Sequence, residues 1–139
     1  MNRHAPLILV VDDEPHIRHV VSLKLSNAGF EVITAEDGQE GLQLAQESAP
    51  DLVITDYQMP FLTGLELCEQ LKADARTREI PALMLTARGF SLAPDQLAKT
   101  NISEVISKPF SPSGVLNRVR QLLGRQSPAP SNREVDQVP

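Results

Sequence analysis

The chain has 139 residues, 41% of them hydrophobic, which suffices for one domain with a single core and leaves no room for a second. A formal net charge of −5 and the absence of any Lys/Arg run give no basic footprint for nucleic acid or a membrane surface, so direct DNA binding by this chain is not expected. The lone Cys68 cannot form an internal disulfide, the start lacks a signal-peptide stretch, and the apolar runs are far too short to span a membrane; a soluble protein of the cytoplasm is expected.

Short β-branched and leucine-rich runs alternate with segments of helical period, the pattern of βαβ units around a parallel sheet. A first strand is expected over Leu7–Val11, ending on the acidic pair Asp12-Asp13. Pro15 then opens a helix at its first position, Ile17, Val20, Val21, Leu25 and Ala28 form an inward stripe, and Gly29 stops it. A strand over Glu31–Ala35 and a helix after Asp37-Gly38, with Leu42 and Ala45 inward, make the second unit. The third strand, Asp51–Thr55, delivers Asp56, and the helix behind it carries Gly64, Leu67, Cys68 and Leu71 on one face, so Cys68 reads as core.

A fourth strand, Pro81–Leu85, delivers Thr86. The helix after it should be short or displaced, because Pro94 fits only a first turn and Thr100-Asn101 ends the segment soon afterwards. The fifth strand, Glu104–Ser107, delivers Lys108. A last helix is expected from the Ser111 N-cap and Pro112 to Gly124, with Val115, Leu116, Val119, Leu122 and Leu123 as its stripe. Residues 1–124 then form the domain, and 125–139, with three prolines and little to bury, form a flexible tail or the stub of a linker.

Open α/β sheets bind ligands beyond the carboxyl ends of their strands, where strand order reverses. If the order is 2-1-3-4-5, Asp12, Asp13 and Asp56 converge across that point, with Thr86 and Lys108 on the same edge. Three close carboxylates repel one another, and a divalent cation relieves the repulsion. Oxygen donors without His or Cys favour Mg²⁺ over zinc. Asp56 can then act as a nucleophile toward phosphorus, Lys108 can offset charge on the transferred group, and Thr86 can donate its hydroxyl to it. Taken singly, each residue has a plainer use: helix N-terminal charge for Asp12-Asp13, a turn for Asp56, a cap for Thr86, a solvated cation for Lys108. Their shared edge argues for one site.

Val10-Val-Asp-Asp-Glu-Pro15, Ile54-Thr-Asp-Tyr-Gln-Met-Pro60 followed by Gly64, Leu85-Thr-Ala87 and Ser107-Lys-Pro-Phe110 together resemble the receiver domain of two-component response regulators over residues 5–124. The resemblance implies a doubly wound, flavodoxin-like α/β fold with a five-stranded parallel sheet, order 2-1-3-4-5, and five helices. It implies phosphotransfer onto Asp56 from a sensor histidine kinase or histidine phosphotransfer protein. The module would not be an enzyme beyond self-catalysed phosphorylation and dephosphorylation. Asp12 and Asp13 correspond to the metal-binding acids, with Asp13, Asp56 and the Gln58 carbonyl as direct Mg²⁺ ligands. Thr86 and Lys108 match the switch hydroxyl and the phosphate-contacting lysine, and Lys108-Pro109 the cis peptide bond usual in such domains.

Two departures stand out. Val105 takes the place of the usual strand 5 aromatic, and Asn101-Ile102 replaces a Gly-Ala pair, while helix 4 carries Pro94. An altered helix 4, strand 5, helix 5 surface is therefore expected, with a monomer or weak homodimer and an unspecified downstream protein partner. His16 and His19 sit one turn apart at metal-binding spacing but read as solvated rim residues. Tyr57, Gln58 and Arg88 flank the acceptor and, by the resemblance, tune water access to an acyl phosphate. The competing readings are a pseudo-receiver used only for docking and a phosphatase of the haloacid dehalogenase type. The second is disfavoured because its nucleophile follows the first strand, whereas here an acidic pair does.

Overall fold

A computed structural model describes residues 5–87 and 92–126. Its elements alternate strictly: β1 (Leu7–Val11), α1 (Pro15–Asn27), β2 (Glu31–Ala35), α2 (Gly38–Ser48), β3 (Leu52–Asp56), α3 (Gly64–Ala73), β4 (Ala82–Thr86), α4 (Pro94–Ala98), β5 (Ile102–Ser107) and α5 (Pro112–Gln126). The strands form one parallel sheet in the expected order, β2-β1-β3-β4-β5. Order reverses between β1 and β3, so both deliver their carboxyl ends to one crevice.

Side chains along β1, β3 and β4 alternate between two cores. Ile8, Val10, Leu52, Ile54, Leu83 and Leu85 pack with Val21 and Leu25 of α1 and Val115 and Val119 of α5. Leu9, Val11, Val53 and Ala82 pack on the opposite face with Ala45 of α2 and Leu67, Cys68 and Leu71 of α3. Each fully buried aliphatic side chain contributes roughly 1.5 to 3 kcal/mol, so the central strands are firmly placed and the residues at their ends with them. Cys68 is fully buried, and burial pushes its thiol up to about 12, in keeping with plain core.

Several element ends differ from the sequence reading. β3 begins at Leu52 because Asp51 turns aside: its carboxylate accepts from the Leu7 N–H at 2.8 Å and its own N–H donates to the Leu7 carbonyl at 2.7 Å. β4 begins after Pro81, which has no N–H for the ladder. At the other end, Asp56 and Thr86 are the last residues of their strands rather than the first beyond them. β5 starts two residues early, with a register break between Ala82 and Leu83 that leaves Ser103 as the extra residue. Gly124 does not end α5, which continues to Gln126. By contrast Gly29 does terminate its unit, with φ of 101°.

α4 is a five-residue helix with no buried residue, as Pro94 implied. Among the departures, Val105 is half-buried beside Met84 on β5. Asn101 is buried instead of lying on an outer surface; its side-chain amide donates to the Ile80 carbonyl, tying the entry of β5 to that of β4. Arg88 and the stretch 127–139 of the expected tail lie outside the described residues. No helix among the described residues is long and apolar enough to cross a membrane.

Candidate functional site

Asp56 is held from both sides. Its backbone carbonyl accepts from the Thr55 hydroxyl at 2.9 Å, and Gly64, the first residue of α3, packs directly on that carbonyl. A Cβ at Gly64 would lie 2.2 Å from the Asp56 carbonyl oxygen, so only glycine allows this approach. The Gly64 N–H donates to the Tyr57 carbonyl at 2.8 Å, closing the loop after β3. Thr63 caps α3 through a reciprocal pair with Glu66, which fixes where that loop ends.

Asp56 is 6% exposed, and its Oδ1 accepts from Lys108 Nζ at 2.8 Å. Lys108 follows β5 directly; its N–H donates to the Thr86 carbonyl at 2.7 Å, and the Lys108–Pro109 peptide bond is cis, as expected. Burial works against the ammonium, but the hydrogen bond and charge of Asp56, with Asp12 and Glu14, outweigh it and leave the Lys108 pKa raised. Asp56, Tyr57, Gln58, Ala87 and Lys108 line a cleft of about 160 Å³ at this edge.

Asp12, Asp13 and Asp56 each offer a carboxylate oxygen, and the three atoms lie within 4.8 Å of one another. Among the described residues this is the one such group of His, Cys, Asp or Glu side chains; His16 and His19 are both exposed and join none. Each like-charged pair at this spacing repels by roughly 1 to 4 kcal/mol, more than the single Lys108 cation offsets. At Asp12 burial adds to this repulsion and exceeds it. Burial, opposed by a hydrogen bond from the Glu14 N–H and increased by the charge of Asp56, raises its carboxyl pKa to about 6. Its Oδ2 is buried without a hydrogen-bond partner among the described residues. An orphaned carboxylate oxygen within an all-oxygen donor set suits a hard divalent cation.

Thr86 sits at the end of β4 with a buried hydroxyl that has no hydrogen-bond partner among the described residues. The structure thus brings together Asp12, Asp13, Asp56 and Lys108, with Thr86 and Gln58 on the same edge. Sequence reasoning passed over Arg18, whose guanidinium donates to the Asp12 carbonyl at 2.7 Å, and Thr55 beneath Asp56. Neither carried a signal, since an arginine one turn into a helix and a threonine in a strand are ordinary there.

The family described as response regulator receiver domain matches residues 8–120. The chain is 40% identical over 125 residues to the DNA-binding dual master transcriptional regulator RpaA of Synechocystis sp., covering 90% of this chain and 52% of that protein. It is 36% identical over 129 residues to the phosphate regulon transcriptional regulatory protein PhoB of Pseudomonas aeruginosa, covering 93% and 56%. The chain therefore spans about half the length of these relatives. Among solved structures, the chemotaxis response regulator CheY4 of Vibrio cholerae superposes with a TM-score of 0.75 at 32% identity, covering 85% of this chain and 98% of that one. The receiver domain of the Francisella response regulator 1452 gives a TM-score of 0.79 at 28% identity, covering 88% and 99%.

Proposed function

This chain belongs to the response regulator receiver domains of two-component systems, and on that premise we propose that Asp56 accepts a phosphoryl group from a sensor histidine kinase or a histidine phosphotransfer protein. The observation that carries the reading is the 2.8 Å ion pair between Lys108 and Asp56 beside two further carboxylates. The haloacid dehalogenase alternative falls with the family match.

In the transfer an Asp56 carboxylate oxygen bonds to phosphorus as the phosphorus–nitrogen bond to the donor imidazole breaks. The electron pair of that bond stays on the nitrogen, and the product is an acyl phosphate. Asp12, Asp13, Asp56 and the Gln58 carbonyl are the groups we assign to Mg²⁺, which when bound neutralises charge developing on the phosphoryl oxygens. Lys108 exchanges its contact with the Asp56 carboxylate for one with the transferred group. The Thr86 hydroxyl then gains an acceptor and draws the end of β4 toward it, which changes the surface offered for docking. Val105 lies on this route in place of an aromatic side chain, so the change leaves through backbone and aliphatic packing.

The chain is a signalling module; beyond that we assign it at most self-catalysed phosphorylation and dephosphorylation. The same reading places it in the cytoplasm, as a monomer or weak homodimer acting on a downstream protein. It assigns residues 1–124 to the receiver and 125–139 to a tail or linker, with α5 running on to Gln126. RpaA is described as DNA-binding; with a net charge of −5 here, we place no DNA contact on this chain.

Incubation with Mg²⁺ and phosphoramidate should add one phosphoryl group by intact mass in the wild type and none in Asp56→Ala. Equal labelling of both, or turnover of a phosphate ester without a lasting adduct, would sink the assignment.

A further inference from the structure

The backbone and one carboxylate oxygen of Asp12 are fully engaged. Its N–H donates to the Ala35 carbonyl at 3.2 Å, its carbonyl accepts from Arg18 Nη1 at 2.7 Å, and its Oδ1 accepts from the Glu14 N–H at 2.9 Å. Among the described residues Oδ2 is left buried without a partner, on a carboxylate that forms with those of Asp13 and Asp56 a group of ligand atoms within 4.8 Å of one another. Arg18 stands one turn inside α1, where its own N–H bonds the Glu14 carbonyl at 3.1 Å. Its backbone is therefore fixed by the helix, and its half-buried side chain reaches back to the acidic turn.

We infer that Arg18 is a positioning residue of the divalent-cation site: by holding the Asp12 carbonyl, it fixes the turn that presents Asp12 and Asp13 to the ion. This rests on the Mg²⁺ reading above. Residues that orient metal ligands from behind typically change metal affinity 10- to 100-fold when removed. Looser ligands must be ordered at each binding event, which weakens binding.

Simple electrostatics predicts the opposite sign. A guanidinium beside three carboxylates competes with a dication for them, so removing its charge alone would tighten cation binding. Removing the hydrogen bond that holds the turn loosens it. Arg18→Met removes both charge and donor, and Arg18→Lys keeps the charge with its donors on one nitrogen in place of the planar group.

The test is calorimetric titration of the whole chain with MgCl₂, together with thermal unfolding of each metal-free variant. Positioning predicts a Kd raised about tenfold in Arg18→Met and an intermediate value in Arg18→Lys. A role confined to fold stability would lower Tm and leave the Kd of the folded chain at the wild-type value, which overturns the inference, as does tighter binding by Arg18→Met. Should Arg18→Met fail to fold, Arg18→Lys decides: weaker binding than wild type supports positioning, and equal or tighter binding rejects it. Asp13→Asn separates the two readings. Wild-type binding that Asp13→Asn abolishes, with none lost in Arg18→Met, rejects Arg18 alone; no binding by wild type rejects the Mg²⁺ site and this inference together.

Discussion

Burial is the main reason that the Asp12 carboxyl titrates near 6, and this has a consequence for stability without metal. The folded chain holds that proton more tightly than the unfolded chain, whose carboxyl titrates near the ordinary value of 3.8. Stability from this group is thus fully present in acid below about 3.8 and is lost as pH rises through about 6, a change of up to about 3 kcal/mol. Urea unfolding in EDTA should show Asp12→Asn gaining on wild type from about pH 5 to about pH 8. Parallel pH profiles for the two would contradict it. Gly64→Ala should be more damaging: with backbone at 2.2 Å to receive the new methyl, a loss of roughly 3 kcal/mol is expected in the same assay. An unchanged midpoint would mean that the loop gives way. Asp12, Asp13, Asp56 and Lys108 were legible because charged groups closing apolar runs are conspicuous. Arg18 was not, because its role depends on a bond back to a carbonyl six residues earlier, which no pattern of residue types announces.

The elements were legible to the extent that their signals were local. Pro15, Pro94 and Pro112 begin helices, because ring geometry acts on the residue itself. Thr63 is an equally local signal that the sequence reading did not use. Its reciprocal cap with Glu66 sets the start of α3, and Thr63→Ala should lower stability by about 1 kcal/mol by urea denaturation, with a loss under a few tenths showing the cap to be dispensable. Gly124 misled because glycine stops a helix only when the backbone there takes a left-handed turn, and α5 passes through it. The early start of β5 and its extra residue Ser103 depend on how β4 and β5 pair, which neither segment encodes by itself.

At the scale of the molecule, the doubly wound order does the selecting. It alone makes β1 and β3 neighbours, and with them Asp12, Asp13 and Asp56. Period and composition could identify five parallel strands; their order came from the resemblance and is borne out in the sheet. The same topology puts Thr86 and Lys108 at the ends of adjacent strands, with the Lys108 N–H on the Thr86 carbonyl, so a group bound at Asp56 bears on both β4 and β5. The central claim is that one phosphoryl group resides on Asp56. Reducing the Mg²⁺- and phosphoramidate-treated chain with borohydride and mapping its peptides tests this most directly, since an aspartyl phosphate is converted to homoserine. The account predicts homoserine at position 56 and only in the phosphorylated sample; no conversion there, or label carried by His16 or His19, would contradict it.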